Sequence, residues 1–248
     1  MVDEEVYISK LSDFMEYVEN LEEGFIMSRG QSAPYKLLPS AMREDATGNR
    51  IISKRTVQYY LDEFKINSYQ FMNRPWDINS DLEWMIYAQH YGIPTNLLDF
   101  SKSHIISLLF AVEKAFETEN HDDGVVFFLN PFRLNNKHVR RSEIITTIDN
   151  TMPTSDGPYV IQGRKLNIRI QAQDGLFVKF DDSDKNLDSL VDESILKKIL
   201  IKQSDKKQIL SSIFTMGLGF SSIYPELSYV SKDILMRKNV NDFIKEEL

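Results

Sequence analysis

The chain contains no cysteine. That absence excludes disulfides, cysteine nucleophiles and cysteine-ligated zinc, and it suits a reducing compartment. Histidine is scarce, with four in 248 residues. Positive charge is in deficit: 29 Lys and Arg stand against 37 Asp and Glu, a net charge of −8. Such a balance argues against a broad grip on duplex DNA and leaves room only for a local basic pocket. No apolar run reaches the roughly 18 residues of a membrane span, and the longest, 105–112, reads as a core helix interrupted by Ser107. The opening MVDEEVYISK is too acidic and polar for a signal peptide, so a cytoplasmic protein without a membrane partner is expected. Internal repeats and low-complexity tracts are missing. So are a Gly-x-Gly-x-x-Gly turn after a strand, a phosphate loop and a Gly-x-Ser-x-Gly elbow. Rossmann-type dinucleotide binding and serine-hydrolase chemistry therefore find no support.

What is present is enough apolar sequence, 42%, for a sizeable core. Leu11, Phe14, Met15, Val18 and Leu21 predict a helix over 9–21, ended by Gly24. Phe25, Ile26 and Met27 predict a short buried strand that delivers Arg29, with Ser28 and Gly30 small enough to admit a ligand or another backbone. A long helix is read over 51–73, stopped by Arg74-Pro75. Its aromatics Tyr59, Tyr60, Phe64, Tyr69 and Phe71 are assigned to core packing. Ser80 and Glu83 form a capping-box pattern for a helix that runs to about Tyr91, with Gly92 as its cap. A polar loop is expected over 92–103, a helix over 103–118 and an interior strand over 125–129. The alternation over 168–173, followed by Asp174-Gly175, reads as a hairpin. Later come an apolar run at 195–201, a helix at 205–216 and a last helix from Pro225 to about Lys238. Strands mixed irregularly with helices give an α+β fold: a single domain with a small mixed or antiparallel sheet surrounded by helices.

Residues 84–110, WMIYAQHYGIPTNLLDFSKSHIISLLF, hold two of the histidines. The AQHYG-x-PT-x-LLD-aromatic-Ser wording resembles the FRG domain family of bacteria and their phages. Ser28-Arg29-Gly30-Gln31 stands where that family has Phe-Arg-Gly-Gln. Gln173-x-Gly175-x-Phe177, and Leu218-Gly219 with Ile223-Tyr224-Pro225-Glu226-Leu227, resemble its C-terminal half. The resemblance implies an N-terminal helix over 1–23 packed on the domain, an FRG-like domain over 24–232, and a helix end and tail over 233–248. Two positions depart from the pattern: Ser28 replaces the usual Phe, and Asn96 replaces the usual Arg.

Three groups of residues are placed to carry chemistry. Arg29 either clamps a phosphate or carboxylate or pairs with an acid such as Asp99. His90, Asp99 and His104 contain the donors of a two-His, one-carboxylate metal site, but their irregular spacing favours helix capping and loop tethering, and no metal is expected. Gln171 and Gln173 offer uncharged amides to a ribose or to a neighbouring strand. An early-strand Arg, a polar central loop and a late carboxamide together resemble mono-ADP-ribosyltransferases. That resemblance implies an ADP-ribosyltransferase-like fold, NAD as cofactor, His90 and Gln173 as catalytic candidates that orient ribose, and ligand contacts from Arg29, Gln31, Tyr87, Tyr91, Asn96, Asp99 and Gln171. Tyr87 or Tyr91 would stack on a base. The late Glu of those enzymes has no counterpart between 165 and 180. A nucleotide or NAD site therefore stands beside a second reading: a non-catalytic module for a protein or nucleic-acid partner in phage defence or counter-defence.

Overall fold

The strand Gly124–Leu129 is buried along its whole length and divides its side chains between two cores. Val126 and Phe128 enter one, Val125, Phe127 and Leu129 the other, as the two-residue period of a strand dictates. The surrounding fold comes from a computed structural model that describes residues 5–72, 77–78, 80–119, 121–148, 152–165 and 168–246.

Eight strands make one mixed sheet: β1 Tyr7–Ile8, β2 Met27–Gln31, β3 Leu97–Ser101, β4 Gly124–Leu129, β5 Ile145–Thr146, β6 Tyr159–Gln162, β7 Gly175–Lys179 and β8 Leu196–Ile201, ordered β1-β8-β4-β2-β3-β7-β6-β5. The expected sheet was small. This one is larger because short, weakly patterned strands such as β1, β3 and β5 join it. The helices are α1 Leu11–Glu19, α2 Lys54–Ser68, α3 Asp81–Gln89, α4 His104–Val112, α5 Pro131–Val139, α6 Ile168–Gln173, α7 Leu187–Leu190, α8 Lys206–Thr215 and α9 Leu227–Glu246. None is long and apolar enough to cross a membrane. The α+β class holds, and the sheet order gives no evidence specific to an ADP-ribosyltransferase fold.

The sheet is not continuous in its middle. β2 pairs with β4 over five register positions, and β3 with β7 over five. β2 and β3 meet at Ser28 opposite Ser101. The sheet thus consists of two four-stranded halves joined near one end of that seam. One half packs under α4, α8 and α9, with Leu108, Leu109, Ile209, Leu210 and Ile213 at the centre. The other packs under α3 through Leu82 and Ile86, against Leu97, Tyr159, Ile161 and Phe177.

Several local expectations are corrected. The polar loop over 92–103 contains β3, whose Asp99 interrupts an otherwise buried strand. A single acid in a five-residue strand hides its alternation from sequence reading. The hairpin at Asp174-Gly175 does not form. Residues Ile168–Gln173 are helical, Asp174 takes a left-handed conformation at φ 44°, and β7 pairs with β3 and β6. Six alternating residues also fit a turn and a half of helix, so the period did not discriminate. The long helix over 51–73 ends at Ser68 and continues as a 3-10 turn, Tyr69–Phe71; its proposed Arg74-Pro75 stop lies outside the described residues. Ser80 caps α3 by accepting from Glu83 N at 3.2 Å. The Glu83 carboxylate, 5% exposed, is held by Arg164 through Nε at 2.5 Å and Nη2 at 2.8 Å, tying α3 to the segment after β6. Asn130 does more than end β4: its side chain caps α5 by accepting from Arg133 N.

Candidate functional site

The opening between the sheet halves forms a cleft of about 480 Å³. β2 supplies Ser28 to Gln31, β3 supplies Leu97 to Ser101, and the C-terminal end of α3 supplies Gln89 and His90. Gln173 and Gly175 close one side, and the α4 face of Ser107, Phe110 and Glu113 closes another with Tyr224. Arg29, the residues around His90 and Asp99, and Gln173 therefore converge, although roughly 60 to 80 positions separate successive members in sequence.

Arg29 and Asp99 face each other where β2 and β3 stop pairing. Arg29 Nη1 donates to the Asp99 main-chain carbonyl at 2.8 Å and lies 2.9 Å from its Oδ1. The guanidinium thus satisfies a strand carbonyl in place of a neighbouring strand. Arg29 Nε is buried and finds no acceptor among the described residues. The Asp99 side chain keeps 53% of its surface open to the cleft. Crowding by the walls pushes its pKa up. The charge and hydrogen bond of Arg29, a backbone N–H and the charge of His90 outweigh this and hold it below the ordinary aspartate value. Gln89 Nε2 also donates to Asp99 Oδ1, at 3.3 Å, and Gln89 Oε1 accepts from Thr95 Oγ1 at 2.5 Å.

Behind β2 lies a buried polar cluster. Ser28 Oγ is 2.9 Å from Ser107 Oγ and 2.8 Å from His104 Nδ1. Burial lowers the His104 pKa, against a hydrogen bond to the backbone of Phe25 that raises it. Ser28, which departs from the family pattern, thus exchanges ring packing for a polar link to α4. The small size of Gly30 serves the same contact: a Cβ there would lie 1.7 Å from the Ser107 carbonyl oxygen. The space beside Arg29 is filled by the backbone of α4.

The remaining candidates divide. Gln31 lines the cleft and donates to the Tyr35 carbonyl at 3.0 Å. His90 caps α3, and its ring meets the edge of Phe177 at 6.5 Å. Asn96 lies away from the cleft, 3.3 Å from Asp182. Gln171 is exposed on α6, because that segment is a helix and presents Gln173 alone. Tyr87 and Tyr91 line a separate apolar hollow of about 370 Å³ with Phe64, Phe71 and Met72. His104 binds Ser28, and among the described residues no three His, Asp or Glu side chains gather as a metal site.

Residues that sequence reasoning passed over include Gln89, Phe110, Glu113 and Tyr224. Glu113 closes an otherwise apolar helix, where periodicity reading takes a single acid as a solvated helix end. Partly buried Glu113 has its pKa pushed up to about 7 by burial; Lys114 opposes this, Glu117 adds to it and Lys232 opposes it.

No curated protein and no solved structure matches the chain. Residues 25–120 match the FRG domain. That interval holds β2, α3, β3 and α4, the elements that make both lips and the floor of the cleft, and the chain is an FRG-domain-containing protein.

Proposed function

We propose that the cleft between β2 and β3 binds a nucleotide of the NAD class. The observation that carries this reading is the meeting of Arg29, Asp99, Gln31, Gln89 and Gln173 around one opening. Its 480 Å³ lies within the roughly 300–1,000 Å³ usual for ligand clefts. Arg29 would face the phosphates, sharing its charge between them and Asp99. The amides of Gln89 and Gln173, with His90, would take ribose hydroxyls. Phe110 and Tyr224 would replace Tyr87 and Tyr91 as the rings beside a base. As an enzyme, such a protein would transfer ADP-ribose to an acceptor. Calorimetric titration with NAD, ATP and ADP-ribose tests the reading. Dissociation constants in the micromolar range, weakened about tenfold or more in Arg29→Lys, are expected. No binding at millimolar ligand would overturn it.

A second reading rests on a different observation. The aromatics of α2 and the following turn were expected in the core, yet Tyr59, Tyr60, Tyr69 and Phe71 are exposed, Phe71 at 82%. Phe71 and the exposed Tyr91 line the apolar hollow beside α3. Exposed apolar surface of this kind suits an interaction module for a protein partner.

A further inference from the structure

Glu113 follows the last turn of α4, one turn beyond Phe110 on the same face. Both line the cleft, and the Tyr224 ring meets Phe110 edge-on at 5.9 Å. Among the described residues, no cation or hydrogen-bond donor lies within bonding distance of the Glu113 carboxylate. Asp99 differs, since Arg29 already neutralises it. The cleft therefore has two chemically distinct regions: a close ion pair between the strands, and beside two aromatic rings a carboxylate on which Lys114 and Lys232 act only through their charge, without a direct ion pair among the described residues.

We propose that Phe110, Tyr224 and Glu113 form a subsite for a flat, positively charged aromatic ring, the oxidised nicotinamide of a dinucleotide. The proposal rests on the nucleotide reading of the cleft and adds which end of the ligand goes where. A cationic ring satisfies both features: aromatic faces and edges pack against it, and the carboxylate supplies the missing countercharge in a partly dry site. A neutral ring of the same shape gains the packing alone.

The charge of Glu113 makes this dependence visible in pH. Burial raises its pKa to about 7; Lys114 opposes this, Glu117 adds to it and Lys232 of α9 opposes it. The carboxylate is ionised at pH 8.5 and largely protonated at pH 6.

The experiment is calorimetric titration of the full chain with oxidised and with reduced nicotinamide adenine dinucleotide, at both pH values. The two ligands differ in the charge and pucker of one ring. At pH 8.5 the oxidised form should bind about tenfold more tightly, and the preference should shrink at pH 6. Glu113→Gln should bind both forms alike at either pH, with a melting curve to verify its fold. Equal affinities in the unmutated protein at pH 8.5 would overturn the subsite and leave the nucleotide reading intact. So would a preference that survives Glu113→Gln. Failure of both dinucleotides to bind at millimolar concentration would overturn the subsite together with the reading it rests on. The comparison within the unmutated protein decides the matter even if the variant does not fold.

Discussion

Arg29 Nη1 reaches both the main-chain oxygen and the carboxylate of Asp99, at 2.8 and 2.9 Å, across the seam where β2 and β3 cease to pair. A buried strand edge normally has its carbonyls taken by the next strand. Here one side chain takes that place, and the strands are free to part around a cleft. The same guanidinium thus joins the sheet halves and sits where a ligand would enter.

Removing Arg29 therefore has a structural cost before any effect on binding. Arg29→Ala should lower unfolding free energy by about 1–2 kcal/mol in denaturant titration, through the lost carbonyl hydrogen bond. Asp99→Asn should cost less than about 1 kcal/mol, because half of the side chain faces solvent. The sign with pH follows from the lowered pKa of Asp99. Its contribution is fully present above the ordinary aspartate pKa and is lost as pH falls through the lower folded value. The difference between the unmutated protein and Asp99→Asn should therefore vanish in acid. A difference that grows on acidification would contradict the assignment.

Glu113 works in the opposite direction. Its folded pKa of about 7 lies above the usual glutamate value, so the folded state holds a proton that the unfolded state has released. Between the two values stability falls as pH rises, and it levels off above about 7. Glu113→Gln removes that cost. It should stabilise the protein by about 1–3 kcal/mol at pH 8.5 and change little near pH 4, as read from melting curves at the two pH values. A variant destabilised at pH 8.5 would show that the carboxylate has a cationic partner in the folded protein.

The cleft was legible in the sequence to the extent that its residues lie in short polar interruptions of apolar runs. Arg29 after Phe25-Ile26-Met27, and Asp99 after Leu97-Leu98, stand out because a core does not need them. The seam itself was not legible. It depends on β3 pairing with β7, about 75 residues downstream, and nothing in the local pattern of Leu97–Ser101 encodes that partner. Tyr87 and Tyr91 show a related limit. Helical spacing placed them together correctly, and their hydroxyls are 3.3 Å apart, but it did not say which side of α3 faces the cleft. Gly30 marks another: its small size was visible, while the neighbour that requires it, the backbone of α4, emerged only from packing.

Gly30→Ala provides a direct test of that packing. The added methyl would fall 1.7 Å from the Ser107 carbonyl oxygen and 2.9 Å from the Ala111 nitrogen, both backbone atoms of a buried helix. Neither can move without shifting α4 on β2. The variant should lose about 3 kcal/mol or more, or fail to accumulate as folded protein, as measured by soluble yield and denaturant midpoint. A loss under 1 kcal/mol would mean that α4 sits farther from β2.

The aromatic surface of α2 and α3 separates into structural and available rings, and two substitutions distinguish them. Trp84 is buried and packs against Phe64 at 6.4 Å and Tyr69 at 5.7 Å. Trp84→Ala should cost about 3–5 kcal/mol through the cavity it leaves. Phe71 lies on the rim of the hollow with most of its ring in solvent. Phe71→Ser should change stability by no more than about 0.5 kcal/mol, because folding buries little of the ring. Denaturant titration of both variants measures the contrast. If Phe71→Ser cost as much as Trp84→Ala, the ring would be part of the core, and the surface would lose the feature that makes it a place for a partner. A large gap between the two leaves an exposed aromatic rim that the fold does not require.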